Sequence, residues 1–156
     1  MAAVATTNES LEPDQVPPVQ NDERLYRRLL IGGWYKSGRP RPIPQKFFMP
    51  RAWVSEERRG DYDGLSVNRA MLTDIETAAT RPDTGQKVHL AEFGVSDVQQ
   101  VGLTVVPKPL VNDRSHAVIP ELNSNDRRDL KKEARMEEWA IALRDRAILV
   151  YEAPDK

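Results

Sequence analysis

The sequence predicts an α+β domain, with a small, mostly antiparallel sheet and one long C-terminal helix packed on it. Three observations predict it. Short apolar segments recur at 25–31, 88–95, 103–106, 117–119 and 147–151, most of them bounded by glycine, proline or turn residues. One long stretch, 126–144, spaces Leu130, Ala134, Met136, Trp139, Ala140, Ile141 and Leu143 as a helix does. The link between the segments 88–95 and 103–106 is only about seven residues long, whereas a parallel crossover needs about a dozen. Those two strands are therefore expected to be antiparallel or not neighbours.

The chain of 156 residues suits one domain. Residues 1–22 hold Glu9, Glu12, Asp14 and Asp22 with no base, and Pro13, Pro17 and Pro18. They read as a disordered acidic tail, and 23–153 as the single α+β domain. The run Leu25–Ile31 is a strand or one helical turn, stopped by Gly32-Gly33. Four prolines between 37 and 50 impose an extended path, with Phe47-Phe48-Met49 pinning it to the domain. Trp53-Val54 and Leu65-Ser66-Val67 read as short strands, and 69–80 has helical composition, ended by Pro82. Ser96 is placed to cap a helix Asp97–Val101 with Gln99 completing the box, and Gly102 to end it in the left-handed region. Ala117-Val118-Ile119 and Ala147–Tyr151 close the list of strands, and Ser124 or Asn125 is placed to cap the long helix. Within that helix, Lys131 and Arg135 are a repelling i, i+4 pair.

Composition narrows the function classes. With no cysteine, a disulfide framework, thiol catalysis and Cys-based zinc sites are excluded, and a reducing, cytoplasmic compartment is expected. No apolar run approaches the roughly 20 residues of a membrane span. His89 and His116 are the only histidines, so no metal is expected, nor any cofactor. Asp61-Tyr62-Asp63-Gly64 fails as a calcium loop because Leu65 stands at its fifth position. Gly32-Gly33-Trp34-Tyr35-Lys36-Ser37 fails as a phosphate loop because Pro40 follows where a helix should start. The tripeptide Arg59-Gly60-Asp61 reads as coincidence.

The strongest functional signal is residues 24–59. Ten bases are interleaved there with six of the chain's ten aromatics, and residues 23–59 carry a net charge of +7 against −4 for 60–102. Eight of the ten bases are arginine, which suits bidentate contacts to carboxylate or phosphate. The candidate contact residues are Arg27, Arg28, Trp34, Tyr35, Lys36, Arg39, Arg41, Lys46, Arg51 and Trp53. Such a strip fits a protein partner, where Trp, Tyr and Arg dominate hot spots. It also fits single-stranded nucleic acid, through phosphate contacts and base stacking. Equally, the arginines can pair with the chain's own acids and the rings can be core. The leading expectation is a non-catalytic interaction or accessory protein with no membrane or small-molecule partner. A nucleic-acid-binding module is the alternative. A second alternative is a small enzyme centred on His116, with Asp61, Asp63 and Ser66 nearby.

The motifs Leu25-Tyr26-Arg27-Arg28, Phe48-Met49-Pro50, Asp63-Gly64-Leu65-Ser66-Val67 and Ser115-His116-Ala117-Val118-Ile119 resemble those of a family of small uncharacterised bacterial proteins. The resemblance implies a bacterial source and no particular activity. The opening Tyr-Arg strand and the later Leu-Ser-Val distantly resemble ADP-ribosyltransferase folds. That resemblance implies a glutamate near the end of the sheet, for which Glu92 and Glu152 are the candidates.

Overall fold

The computed structural model describes residues 9–30, 43–50, 63–123 and 130–154. Six strands form one antiparallel sheet: β1 (Arg24–Leu29), β2 (Leu65–Arg69), β3 (His89–Gly94), β4 (Val106–Pro107), β5 (His116–Ile119) and β6 (Ile148–Tyr151). Their order is β4-β5-β2-β1-β3-β6. The strands β3 and β4 are not neighbours, so the short link between them is a turn from the sheet through a helix and not a crossover. Helices α1 (Ile75–Ala78), α2 (Val95–Val101) and α3 (Leu130–Arg146) complete the α+β architecture.

Period-2 alternation divides the sheet into two faces. On one, Leu25, Leu29, Leu65, Val67, Ala91, Phe93, Ala117 and Ile119 meet Val98 of α2 and Met136, Ala140 and Leu143 of α3. Ile43, Phe47, Phe48 and Met49 join the same core, so the proline-rich stretch is pinned there as its sequence requires. Phe48 meets Phe93 edge to face, with ring centroids 5.7 Å apart. On the other face Tyr26 and Leu90 pack with Ala78 and Ala79. Gly64 enters β2 with φ +145°, and a Cβ there would stand 2.7 Å from the Ile119 carbonyl oxygen. Only glycine lets the chain approach β5 that closely.

Several elements depart from the sequence expectations. The segment 69–80 is not one helix. Arg69 still belongs to β2, residues 70–72 make a 3-10 turn, and α1 is a single turn capped by Asp74, whose carboxylate accepts from Thr77 N–H at 2.7 Å. Asp74 interrupts the apolar set, and a carboxylate at that point favours starting a helix over continuing one. In α2 the cap is Gly94, not Ser96: Asp97 accepts the Gly94 N–H at 2.7 Å, and the helix starts one residue before Ser96. Its end is as expected, with Gly102 at φ +95°. Of 103–106, only Val106 pairs as strand, together with Pro107, an edge position where proline is tolerated. Trp53-Val54 and the residues 124–129, where the caps of α3 were expected, lie outside the described residues.

Residues 9–22 lie on the domain. Leu11 N–H donates to Pro109 O at 2.8 Å, Val111 N–H donates to Glu9 O at 2.9 Å, Val16 is buried and Val19 packs against the core. Prolines lack donors but keep their carbonyls, and a buried cation uses them. Arg69, with 0% of its side chain exposed, donates to Pro17 O at 2.7 Å and to Pro18 O at 3.2 Å. The same guanidinium holds Glu23 through two bonds, Nε to Oε1 at 2.8 Å and Nη2 to Oε2 at 2.9 Å.

Burial pushes the Glu23 carboxyl up, yet the Arg69 hydrogen bonds, the Gln20 N–H and the Arg69 charge outweigh it, and its pKa lies below the ordinary 4.5. The unfolded chain therefore takes up this proton at higher pH than the folded one. The stabilisation is whole above about pH 4.5 and is lost as pH falls through the lower folded value. Glu23→Gln is expected to cost about 3–5 kcal/mol at pH 7 and to flatten the acid side of the stability curve. Urea unfolding of both proteins between pH 7 and pH 3 checks this, and an unchanged acid slope in the variant refutes it.

Candidate functional site

The cationic strip 24–59 is the first place to look, and most of its described part is internal. Arg27 alternates with Leu25 and Leu29 on the core face of β1 and is 1% exposed. Its Nε donates to Phe47 O at 2.9 Å and its Nη1 to Ser66 O at 2.8 Å, tying the proline-rich stretch to the sheet. Arg28 faces the other side, half-buried, and donates from Nε to Ala78 O at 2.6 Å. Burial lowers the pKa of Arg28, and the nearby charge of Asp113 opposes that. Arg24 bonds Glu92 at 2.7 Å. Tyr26, Phe47 and Phe48 are buried. Lys46 is half-buried, its Nζ 5.6 Å from the Phe47 ring centroid. The guanidinium groups of Arg27 and Arg28 thus meet the chain's own carbonyls. Trp34, Tyr35, Lys36, Arg39 and Arg41, and Arg51 and Trp53, lie outside the described residues.

The second place is His116, at the start of β5. Its Nδ1 lies 2.8 Å from Lys108 O. A carbonyl only accepts, so Nδ1 carries the proton, and in the neutral ring Nε2 is left as the acceptor. Ser66 Oγ stands 3.3 Å from that nitrogen. Lys108 N–H in turn donates to His116 O at 3.0 Å, so the pair clamps the chain beyond β4 to β5. Beside it, Asn68 Nδ2 donates to Asp113 Oδ2 at 2.9 Å and to Ser115 Oγ at 2.8 Å, and Ser115 Oγ donates to Asp113 Oδ1 at 2.5 Å. Asn68 and Ser115 are buried, and this closed network holds the 113–115 turn against β2. Asp63 is not part of it. Asn68 pairs with His116, whereas Asp63 stands before the start of β2. Asp61 lies outside the described residues. Among the described residues no group of three or more His, Asp and Glu could hold a metal ion.

The third place was missed from sequence. A hollow of about 330 Å³ opens beside the N-terminal half of α3. Its floor is Met136, 2% exposed, and its wall is Trp139, which packs partly into the core. Lys131, Lys132 and Arg135 supply its cations. Lys131, Arg135 and Trp139 follow at i, i+4 and i+8, so one helical stripe carries two cations and a ring. The Arg135 guanidinium carbon lies 6.0 Å from the Trp139 ring centroid, within cation–π range. Among the described lining residues Glu121 is the one carboxylate, and it is already engaged, accepting from Thr104 N–H at 3.1 Å and from Thr104 Oγ at 2.7 Å. Asn123 completes the lining and donates to Pro120 O at 3.0 Å. The signal was present in the sequence as the Lys131–Arg135 pair, read only as helix repulsion. Repulsion on a helix face is tolerated where the side chains share a hollow with an aromatic ring.

No family model, curated protein or solved structure matches the chain. The ADP-ribosyltransferase resemblance gains nothing from the geometry either, since Glu92 is held by Arg24. Function has to be read from these residues alone.

Arg27→Met separates an internal arginine from a surface one. The variant leaves the Phe47 and Ser66 carbonyls without that donor and is expected to lose about 2–3 kcal/mol in urea unfolding. A change within about 0.5 kcal/mol, the usual range for surface substitutions, contradicts the internal role.

Proposed function

We propose that the chain is a non-catalytic interaction protein, a cytoplasmic accessory subunit of bacterial origin that meets a protein partner through cationic and aromatic side chains. The observation that carries the reading is the hollow beside α3. It combines an aromatic wall, an apolar floor and three cationic side chains in one recess. Arginine and tryptophan are the side chains that anchor protein contacts most strongly, often by 2 kcal/mol or more each. Among the described residues Arg135 makes no hydrogen bond or ion pair, and its contact is the Trp139 ring. Among the described residues nothing consumes its charge, in contrast to Arg27 and Arg69.

Single-stranded nucleic acid is the second reading, because the same cations suit phosphates and a tryptophan face suits a base. Its affinity would fall steeply with salt. A catalytic role for His116 has less support: its ring is held by Lys108 O.

The test is capture from a lysate of the native host with tagged wild type and tagged Arg135→Glu, alongside a labelled single-stranded oligonucleotide at low and moderate salt. Arg135 is exposed, so the variant is expected to keep its fold. The expected outcome is a defined partner held by the wild type and lost with the variant, with no oligonucleotide binding. A captured set identical for the two proteins overturns the hollow as contact surface. Oligonucleotide binding at low salt that the variant abolishes replaces the protein reading with the nucleic-acid one.

A further inference from the structure

We infer that Met71 is a peroxide-oxidation site, and that it takes its oxygen on one face of the sulfur because Arg69 covers the other. Three of the chain's four methionines lie among the described residues. Met49 is 5% exposed and Met136 2%, both in the core, whereas Met71 is 54% exposed. An oxidant dissolved in water reaches Met71 directly, and the other two only when the core opens. The local fold puts Met71 outside: β2 ends at Arg69, and the 3-10 turn 70–72 that follows has no buried residue.

The sulfur is also held. Arg69 Nη2 donates to Met71 Sδ at 3.6 Å, and the Arg69 side chain is 0% exposed. A thioether sulfur has two lone pairs, so one faces the guanidinium and the other is left for the oxidant. That second pair attacks one oxygen of a peroxide. An S–O bond forms as the O–O bond breaks, and the other oxygen leaves as an alcohol, or as water from hydrogen peroxide, once the proton of the transferred oxygen has moved to it. Sulfur gives up two electrons and the peroxide is reduced by two. The product sulfur is a stereocentre, and attack from one side gives one epimer in excess. The fold absorbs the change. Arg69 donates to Glu23 twice and to the Pro17 and Pro18 carbonyls, at 2.7 to 3.2 Å, all shorter than its contact with sulfur. A thioether is a weak acceptor, so the anchor of the N-terminal stretch does not depend on it. Sulfoxides are reduced again enzymatically, which makes Met71 the place for a reversible oxidation mark.

The test exposes the full chain to limiting hydrogen peroxide, once folded and once in concentrated urea, and follows oxygen uptake by mass spectrometry. Trypsin places the four methionines on separate peptides, 1–24, 47–51, 70–87 and 136–144. In the folded chain 70–87 is expected to gain oxygen roughly tenfold faster than 47–51 and 136–144. Its sulfoxide is then reduced with each of the two epimer-specific methionine sulfoxide reductases. One epimer is expected to exceed the other roughly fourfold after oxidation of the folded chain, and the two to be near equal after oxidation in urea. The urea midpoint of the oxidised chain should match that of the untreated one. Buried methionines that keep pace with Met71 overturn the site, and equal epimers from the folded chain overturn the covered face. A midpoint that falls in step with oxidation of 70–87 overturns the reversible mark.

Discussion

Two guanidinium groups on the core side of the sheet constrain the rest of the structure. Arg27 and Arg69 are essentially without solvent, and a cation in that position is tolerated only when its donors are satisfied. The chain meets much of the demand with segments that lie outside the sheet. The 3-10 turn at 45–48 brings the Phe47 carbonyl to Arg27, and the 17–23 segment brings two proline carbonyls and Glu23 to Arg69. Composition alone would leave both segments loose. The buried charges give each one a fixed place, so the proline-rich stretch and the acidic N-terminal stretch are parts of the domain because two strands carry arginine on the wrong face for an apolar core.

The second face of the sheet holds its polar groups in a closed network of side chains. Ser66, Asn68 and His116 project from β2 and β5 toward the turn that carries Asp113 and Ser115. The side chains there bond to one another, and the Lys108 carbonyl fixes the tautomer of His116. A network whose members are already paired stiffens a turn and leaves less for a substrate. The residue types resemble a catalytic set, but their bonds are those of a clamp between neighbouring strands.

How much of this was legible in the sequence follows from the range of the interactions. Alternation in Leu25-Tyr26-Arg27-Arg28-Leu29 already puts Arg27 between two core leucines, and the strand, the two-faced sheet and the long helix are local patterns that the residues state directly. The acceptor of Arg27 lies twenty residues on and that of Arg69 some fifty residues back, and no local pattern encodes either distance. For Arg27, among the described residues of the strip 24–59, it is the internal alternative that the hydrogen bonds match. The single-turn α1 was missed because an apolar composition outweighed the capping carboxylate of Asp74. The hollow beside α3 was half legible: Lys131, Arg135 and Trp139 share a stripe by spacing, whereas Glu121 and Asn123 reach it only through the fold. The motifs that carried the bacterial resemblance turn out to be β1, the end of the 45–48 turn, β2 and β5, which is to say mostly the adjacent strands that build the core. They describe how the chain folds, and so imply an architecture without an activity.

A charge count cannot separate the cations a fold uses from those it leaves for a partner, but hydrogen-bond accounting can. A guanidinium bonded to buried carbonyls or a buried carboxylate is committed, because releasing it would strand its acceptors. Arg27, Arg28 and Arg69 meet that description to differing depths. Arg135 does not: it is solvated and leans on a ring, so another molecule can recruit it without a cost to the core. Its neighbour Trp139 is half in the core and half in the recess wall, and that position couples the two roles. The buried part of the ring holds its place, and the remainder offers a rigid surface whose ordering has already been met by folding. Preorganisation of that kind is what lets a small recess contribute binding out of proportion to its area.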